Sequence, residues 1–257
     1  MKLLLKKIIN TDLITKIRNS IGIKKLPINN YLLTKNFSIS DAFLWRTDNN
    51  FKTVFKYSDL LRLFFNQLNT KIEIHFYDKN HIFIKKIKNN SIKLSNILEI
   101  DKDLMEGKED YGVFYIFHSA EKNLNSSIRN SCYTGFSYNN ALPSFVHGNC
   151  PTTYQYINNK DETLINKDIV GLSFLQNKKY KIQNFFEGLT KLEIFIQNPT
   201  TKTISLRINN NSLKMYQKTS LIYDVTKYNE VEIVSNCLFL RPLIFCYRNN
   251  YIDVHHG

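Results

Sequence analysis

Glycine and proline are scarce in this sequence, which has eight glycines and five prolines among 257 residues. Loops that cradle phosphate groups depend on glycine, and neither a G-x-x-x-x-G-K-[ST] nor a G-x-G-x-x-G segment occurs. The G-x-S-x-G and H-E-x-x-H signatures of hydrolases are also missing. These absences exclude the common nucleotide-binding loops and the best-known signatures of nucleophilic and zinc-dependent catalysis.

Long apolar runs are absent as well. No stretch approaches the ~20 apolar residues of a membrane-spanning helix, and the apolar run of "MKLLLKK" is too short for a secretory signal. We therefore expect a cytoplasmic protein, either soluble or peripheral on the inner surface of the membrane. The four cysteines form no C-x-x-C pair, so we expect free, buried thiols, with a Cys132–Cys150 disulfide as the alternative.

Aromatic residues are plentiful, with 15 tyrosines and 18 phenylalanines. Flat rings pack well on a pleated surface and favour strands, while turns must come from Asn, Asp and Ser because glycine is rare. Adjacent asparagines occur at 29–30, 49–50, 89–90, 139–140, 158–159 and 249–250. The composition predicts an all-β protein with a packed core.

The net charge of +13 is concentrated at the start of the chain. Residues 1–36 hold eight Lys and Arg against Asp12 alone, 8 − 1 = +7. Lys, Asn and Ile are all abundant together, which an AT-rich coding sequence produces without selection for charge, so no nucleic-acid partner is favoured.

A basic amphipathic helix is predicted over residues 3–21, preceding the β structure. Leu5, Ile9, Leu13, Ile17 and Ile21 recur every four residues and form an apolar stripe. The stripe either packs on the rest of the protein or a partner chain, or lies in a membrane interface with its lysines at the headgroups.

From residue 51 the apolar pattern changes to period two, which is typical of strands with one buried face. The stretch "KIEIHFY" at 71–77 aligns with "KLEIFIQ" at 191–197, and "FSYNNALPSFVHG" at 136–148 aligns without a gap with "FCYRNNYIDVHHG" at 245–257. "NNSIKL" at 89–94 also aligns with "NNSLKM" at 210–215, after the register slips by one. From this match to the last pair of stretches the first copy has twelve additional residues (136 − 89 = 47 against 245 − 210 = 35), which we place in a loop around 120–128. We predict that one module occurs twice.

The predicted fold is two tandem, internally duplicated β-sandwich modules of jelly-roll or Ig-like type. The domain boundaries follow from the alignment: a basic helix and linker at 1–37, module 1 at 38–150, a linker at 151–167 and module 2 at 168–257. A single large jelly roll built from both halves is the alternative.

The repeated His-Gly places His147 and His256 at corresponding positions. A histidine before glycine can bind the backbone and fix a turn. The functional alternative is a catalytic site of His147, His256 and Asp253 between the modules, able to act as acid and base or to bind a divalent metal. Asp253 shares a strand face with His255, and His256 lies on the other face.

Five further residues are candidate ligand-binding residues. Trp45 and Arg46 can stack on a sugar ring or a base, although we favour a tryptophan plug that closes the first module, with Arg46 paired to an acid. His118 falls outside the repeat. Tyr138 and Tyr247 are corresponding tyrosines in the two modules. His75 and His81 flank a hairpin, where we expect them to be solvated.

The sequence favours a non-catalytic binding or assembly protein, with a glycan or another protein as partner and membrane contact through residues 1–36. Tyr- and Asn-rich β faces suit glycans because rings stack on sugars and amides bond hydroxyls. The alternative is an enzyme acting on a polysaccharide through the histidine site, with a divalent metal. Otherwise we expect no cofactor.

Overall fold

The structure is a computed structural model, and it describes residues 11, 13, 14, 17, 37–121, 127–130, 132–148, 151–157, 164–173, 177–183, 188–237 and 239–257. The helix predicted over residues 3–21 lies almost entirely outside this range. Leu13 and Ile17, the two described members of its apolar stripe, are exposed.

The residues described from 37 onward form twenty strands and one short helix, which confirms the all-β prediction. The helix, α1, is Leu60–Phe65. The strands are β1 (Phe37–Asp41), β2 (Phe43–Arg46), β3 (Phe51–Tyr57), β4 (Thr70–Asp78), β5 (Phe83–Asn89), β6 (Asn96–Ile100), β7 (Tyr111–Ala120), β8 (Ser127–Arg129), β9 (Tyr133–Tyr138), β10 (Ser144–His147), β11 (Pro151–Ile157), β12 (Leu164–Asp168), β13 (Lys178–Gln183), β14 (Lys191–Gln197), β15 (Ile204–Ile208), β16 (Asn211–Met215), β17 (Ser220–Asp224), β18 (Glu230–Ser235), β19 (Leu243–Tyr247) and β20 (Ile252–His256).

The strands form five four-stranded sheets, of which two make up what we call the first pair: β2-β7-β4-β5 and β10-β9-β3-β6. Alternating residues of both sheets point into one buried cluster that includes Trp45, Phe55, Ile74 and Phe114. The Phe55 and Phe114 rings meet at 4.7 Å across the two sheets. This cluster is the first core.

The second pair consists of the sheets β13-β18-β15-β16 and β17-β14-β19-β20. Its cluster, the second core, combines Leu192, Ile194 and Ile196 of β14 with aliphatic residues of β15 and β18 such as Leu206 and Ile233. Period-two alternation places these residues on the inner faces of both sheets.

Both pairs have the same strand order. When β2 to β7, β9 and β10 are counted as one to eight, the first pair reads 1-6-3-4 and 8-7-2-5, and β13 to β20 read 1-6-3-4 and 5-2-7-8. Among the described strands between β2 and β10, β8 is the one left out of this count, and it lies close to the additional residues predicted around 120–128. The aligned stretches 71–77 and 191–197 correspond to β4 and β14, which are third and second in their series, so the strand order does not support that part of the alignment.

The two C-terminal hairpins differ in register by one residue. Phe136 pairs with Ser144, whereas Phe245 pairs with Val254. Asn139 and Asn140 have φ of 50° and 59°, but Asn249 and Asn250 are not among the residues with positive φ. When the two hairpins are overlaid without a gap, one pair of matched strands therefore has its side chains on opposite faces of the sheet.

The fifth sheet has the order β12-β11-β1-β8. Residues 151–167, predicted as a linker, supply β11 and most of β12. The sheet adjoins the first pair along β7, where the Ile116 N–H donates to Ser40 Oγ at 2.9 Å and the His118 N–H donates to Ser38 Oγ at 2.7 Å.

A third buried cluster joins the two pairs, and we call it the junction. Phe51 and Phe136 of the first pair contact Phe245 of the second, with ring centroids 5.9 and 5.1 Å apart. The junction also contains Phe195 and Val254. The outer face of the β17-β14-β19-β20 sheet is thus covered by the first pair.

Candidate functional site

His147 and His256 lie next to each other at the edge of the junction. Their ring centroids are 4.6 Å apart, and His256 Nε2 lies 2.9 Å from the His147 carbonyl oxygen. His147 Nδ1 lies 2.9 Å from the Gly148 carbonyl oxygen. Since carbonyls only accept, each of these nitrogens carries a proton when the rings are neutral. The second nitrogen of each ring, His147 Nε2 and His256 Nδ1, then carries a lone pair.

The surroundings of the pair contain little that would complete a catalytic site. Burial, the charge of Arg241 and the neighbouring His147 lower the pKa of His256 to about 4, so its ring is neutral at physiological pH. Asp253, the third predicted residue, forms an ion pair with Arg248 at 3.1 Å. No group of three or more His, Cys, Asp or Glu residues able to hold a metal occurs within the described ranges.

Trp45 and Arg46 are fully buried. The Trp45 indole lies in the first core and donates to the Tyr77 carbonyl oxygen at 2.8 Å. Arg46 donates to both carboxylate oxygens of Asp48, at 2.9 and 2.8 Å, and to Glu193 of the second pair at 3.0 Å. Neither side chain has surface left for a ligand, because β2 is covered on both faces.

The Arg46 guanidinium is the centre of a charged cluster at the junction. It lies 4.0 Å above the Phe51 ring and within 3.3 Å of the Tyr247 hydroxyl, which itself donates to Glu193. Burial alone would raise the pKa of Glu193, but Arg46, Lys191 and Tyr247 outweigh it and lower this pKa. The cluster stays ionised and fastens the two pairs together.

Tyr138, Tyr247 and His118 also lie in packed surroundings. The Tyr138 and Tyr247 rings contact each other edge to face at 5.3 Å, and Tyr247 is buried. Burial lowers the pKa of His118 to about 4, and its Nε2 contacts Asn130 Nδ2. His118 Nδ1 and Asn130 Oδ1 have no hydrogen-bond partner. These contacts join His118 to Asn130, which is not one of the predicted site residues.

A different set of residues lines a cleft of about 140 Å³ where three sheets meet, and we call it the Tyr115 cleft. A cavity of ~150 Å³ lined by apolar residues accommodates a six-membered ring such as benzene. The lining residues come from β4, the β4–β5 turn, β7, β11, β12 and the turn between β16 and β17. They are Tyr77, His81, Tyr115, Phe117, Thr153, Asp168 and Lys218.

The aromatic wall of the cleft follows from strand register. Tyr115 and Phe117 alternate with the core residues Phe114 and Ile116 on β7, so they face the opposite side of the sheet. The Tyr77 ring lies 5.7 Å from that of Tyr115, and the His81 ring lies 4.3 Å from that of Tyr77. The Asp78 carboxylate accepts from the N–H of Asn80 and of Ile82 and so shapes the turn that places His81 at φ 63°.

Polar groups stand beside these rings. Lys218 Nζ forms an ion pair with Asp168, whose side chain is 28% exposed, and also donates to the Pro199 carbonyl oxygen at 2.9 Å. Gln197 donates to the Tyr115 hydroxyl at 3.1 Å, and that hydroxyl lies 3.5 Å from His81 Nε2. Burial raises the pKa of Tyr77, and burial together with nearby Lys218 lowers the pKa of His81. The cleft therefore offers ring faces, a neutral imidazole and an acid–base pair to a small ligand.

The sequence alone did not reveal this cleft. His75 and His81 were expected to be solvated, but His75 is buried and His81 is half-buried. A usable signal was the stretch "YGVFYIFHS" at 111–119, which is apolar at both odd and even positions. A strand of this kind is covered on both faces.

A second, more open cleft lies at the turn end of the first pair. It has a volume of about 490 Å³ and is lined by Asn50, Asn139, Asn140, Asp101 and neighbouring residues. Asn50 Nδ2 donates to Asn139 Oδ1 at 3.2 Å, which links the two asparagine turns.

Comparison of the chain with protein-family models, curated proteins and solved structures finds no significant match.

Proposed function

We propose that this is a non-catalytic binding or assembly protein that recognises glycans, and that the Tyr115 cleft holds one sugar ring. The observation that carries the proposal is the combination, in one cleft of about 140 Å³, of aromatic rings with a carboxylate and an ammonium group. The half-buried rings of Tyr77 and His81 supply faces for the apolar C–H side of a sugar, and the buried rings of Tyr115 and Phe117 support them from behind. The carboxylate accepts from hydroxyls and the ammonium group donates to them.

The aromatic part of the cleft is pre-organised. Tyr115 and Phe117 are buried, and Gln197 holds the Tyr115 hydroxyl. Side chains that are already fixed lose little conformational freedom when a ligand binds, and this favours affinity.

The scaffold we propose is two duplicated β-sandwich modules of jelly-roll or Ig-like type, spanning about 38–150 and 168–257. The shared strand order of the two pairs supports this duplication. The free, buried thiols of Cys132 and Cys246 fit our expectation of a cytoplasmic location. Within the described residues, no helix is long and apolar enough to cross a membrane.

A glycan array probed with the full chain tests the proposal, followed by calorimetry on the best ligand. Asp168→Asn removes a charged hydrogen-bond partner from the cleft and should weaken binding at least about tenfold. His81→Ala should also weaken binding. The matched control is Asp224→Asn, because Asp224 bonds Thr226 away from the cleft.

The proposal fails if no carbohydrate on the array binds. It also fails if both cleft variants bind as tightly as the unaltered protein while their thermal melting is unchanged, because the glycan site would then lie elsewhere.

The second candidate function is an enzyme that uses His147 and His256 on a polysaccharide, and the 4.6 Å between their rings favours it. The lone pairs at His147 Nε2 and His256 Nδ1 would serve as bases or metal ligands. Purified protein is assayed for release of reducing sugar and for bound divalent metal. Any hydrolytic activity should disappear in His147→Ala and in His256→Ala; activity that survives both substitutions excludes this function.

A further inference from the structure

Four large apolar side chains are exposed within six residues at and beyond α1. Leu63 is 56%, Phe64 69%, Phe65 38% and Leu68 78% exposed. Leu60 and Leu61 of the same helix are buried and anchor it to the protein. An exposed apolar group of this density marks an interaction surface, and we call these four residues the α1 patch.

The α1 patch is held in place by caps at both ends of the helix. The Asp59 carboxylate accepts from the Arg62 N–H at 3.0 Å and from the Thr70 hydroxyl. At the other end Asn66 adopts φ 52°, and its N–H donates to the Arg62 carbonyl oxygen at 3.1 Å. Because the backbone is fixed in this way, exposure of the four side chains is a property of the fold.

The charges next to the α1 patch are two cations and one anion, Glu121, whose carboxylate accepts from Asn69 Nδ2 at 3.1 Å. Within residues 58–71 the charged side chains are Asp59, Arg62 and Lys71, and Asp59 is buried while the other two are exposed. The whole chain carries +13. Apolar side chains flanked by cations match a bilayer surface in which acyl chains lie beneath anionic headgroups.

We infer that the α1 patch is a membrane-contact site that inserts Leu63, Phe64 and Leu68 into the interface of an anionic bilayer, with Arg62 and Lys71 at the headgroups. The patch offers on the order of 400 Å² of apolar surface. A stable protein interface buries about 800 Å² per partner, so the area suits shallow insertion better than dimerisation. This contact is additional to the one predicted for residues 1–36 and does not depend on glycan binding.

Co-sedimentation of the full chain with vesicles tests the inference. The probes are phosphatidylcholine vesicles with and without about 30% phosphatidylserine, which represents an anionic leaflet. The protein should sediment with the anionic vesicles, and Phe64→Ser/Leu68→Ser should reduce its partition at least about tenfold. Leu142→Ser removes an exposed leucine elsewhere, 89% exposed, and should bind like the unaltered protein. Arg62→Glu/Lys71→Glu should weaken binding to the anionic vesicles and reduce its salt dependence.

Two results would overturn the inference. One is vesicle binding that Phe64→Ser/Leu68→Ser leaves intact, in particular where Leu13→Ser/Ile17→Ser abolishes it, because the contact then belongs to the N-terminal segment. The other is no vesicle binding at all. If light scattering then shows a dimer that Phe64→Ser/Leu68→Ser dissociates, the α1 patch is an interface between two copies of the chain and not a membrane contact. Circular dichroism of each variant shows that it is folded.

Discussion

The two pairs of sheets have the same strand order but fill their cores differently. The first core contains six aromatic residues, Phe43, Trp45, Phe55, Tyr57, Phe76 and Phe114. The buried members of the second core are all aliphatic or sulfur-containing, among them Ile194, Leu206 and Met215. Strand order is therefore compatible with two unlike sets of core side chains, as expected when alternation and turn positions specify the sheets and packing adjusts to them.

The largest effect should come from emptying the aromatic core. Phe114 contacts the rings of Phe43, Phe55 and Phe76, and Phe114→Ala should lower the free energy of unfolding by ~3–5 kcal/mol. Ile194→Ala in the second core should lower the free energy of unfolding by ~2–5 kcal/mol. We expect a value near the lower end of this range, because the cavity left by isoleucine is smaller than that left by phenylalanine. Urea unfolding followed by the fluorescence of Trp45 and by circular dichroism measures both. If both variants lose the same free energy of unfolding, or if Phe114→Ala loses less than about 1 kcal/mol, the aromatic side chains do not stabilise the first core more than the aliphatic ones stabilise the second.

The next effect concerns the contact between the pairs. Arg46→Met leaves Glu193 without its main counter-charge and should cost ~3 kcal/mol, because Lys191 still offsets part of the buried charge. Lys52→Met breaks the exposed pair with Glu99 and should cost ~0–1 kcal/mol. The same urea titration compares them, and similar costs for the two variants would contradict a fastening role for Arg46.

The third effect is the pH dependence of stability, to which His118 and His256 should contribute unequally. His118 has a pKa of about 4 in the folded protein against an ordinary value of 6.5, so the unfolded chain binds more protons between these values. The free energy of unfolding should therefore rise from pH 4 to pH 6.5, by on the order of 2 kcal/mol for His118. His118→Gln should flatten this slope, and His256→Gln should flatten it less, because His256 is half-exposed. Unfolding curves at pH 4.5, 5.5 and 7 check this, and an unchanged slope in His118→Gln would refute it.

The smallest effect lies in the hairpin turns. Asn139→Ala and Asn139→Gly both lose the exposed hydrogen bond from Asn50, but only alanine is strained at φ 50°, so Asn139→Ala should cost ~1 kcal/mol more than Asn139→Gly. Asn249 is not among the residues with positive φ, so Asn249→Ala should cost less than half as much. Thermal melting of these three variants measures the difference. Equal melting temperatures for the two alanine variants would mean that the turns are more alike than their dihedrals indicate.

The sequence supported part of the fold and little of the site. Strict alternation located β4 and β14, but alternation looks the same in every half-buried strand, so 71–77 and 191–197 were aligned although they hold different places in the sheets. The extra residue in the second C-terminal hairpin was hidden because both turns contain an asparagine pair. Local sequence does not show which dihedrals such a pair adopts.

The Tyr115 cleft was beyond sequence reasoning for a different reason. Its residues run from Tyr77 to Lys218 and meet only through the packing of three sheets. Trp45 and Arg46 were singled out because exposed indole and guanidinium groups bind ligands. The sequence alone did not show that β2 is covered on both faces.

Arg46 and Glu193 have a consequence for how the chain can be divided. They lie 147 positions apart and neutralise each other in apolar surroundings. A recombinant fragment that stopped before residue 191 would expose the aromatic faces of Phe51 and Phe136 and leave the Arg46 guanidinium with Asp48 but without Glu193. We expect such a half to collect in inclusion bodies, and the two halves to yield soluble protein only when they are produced together.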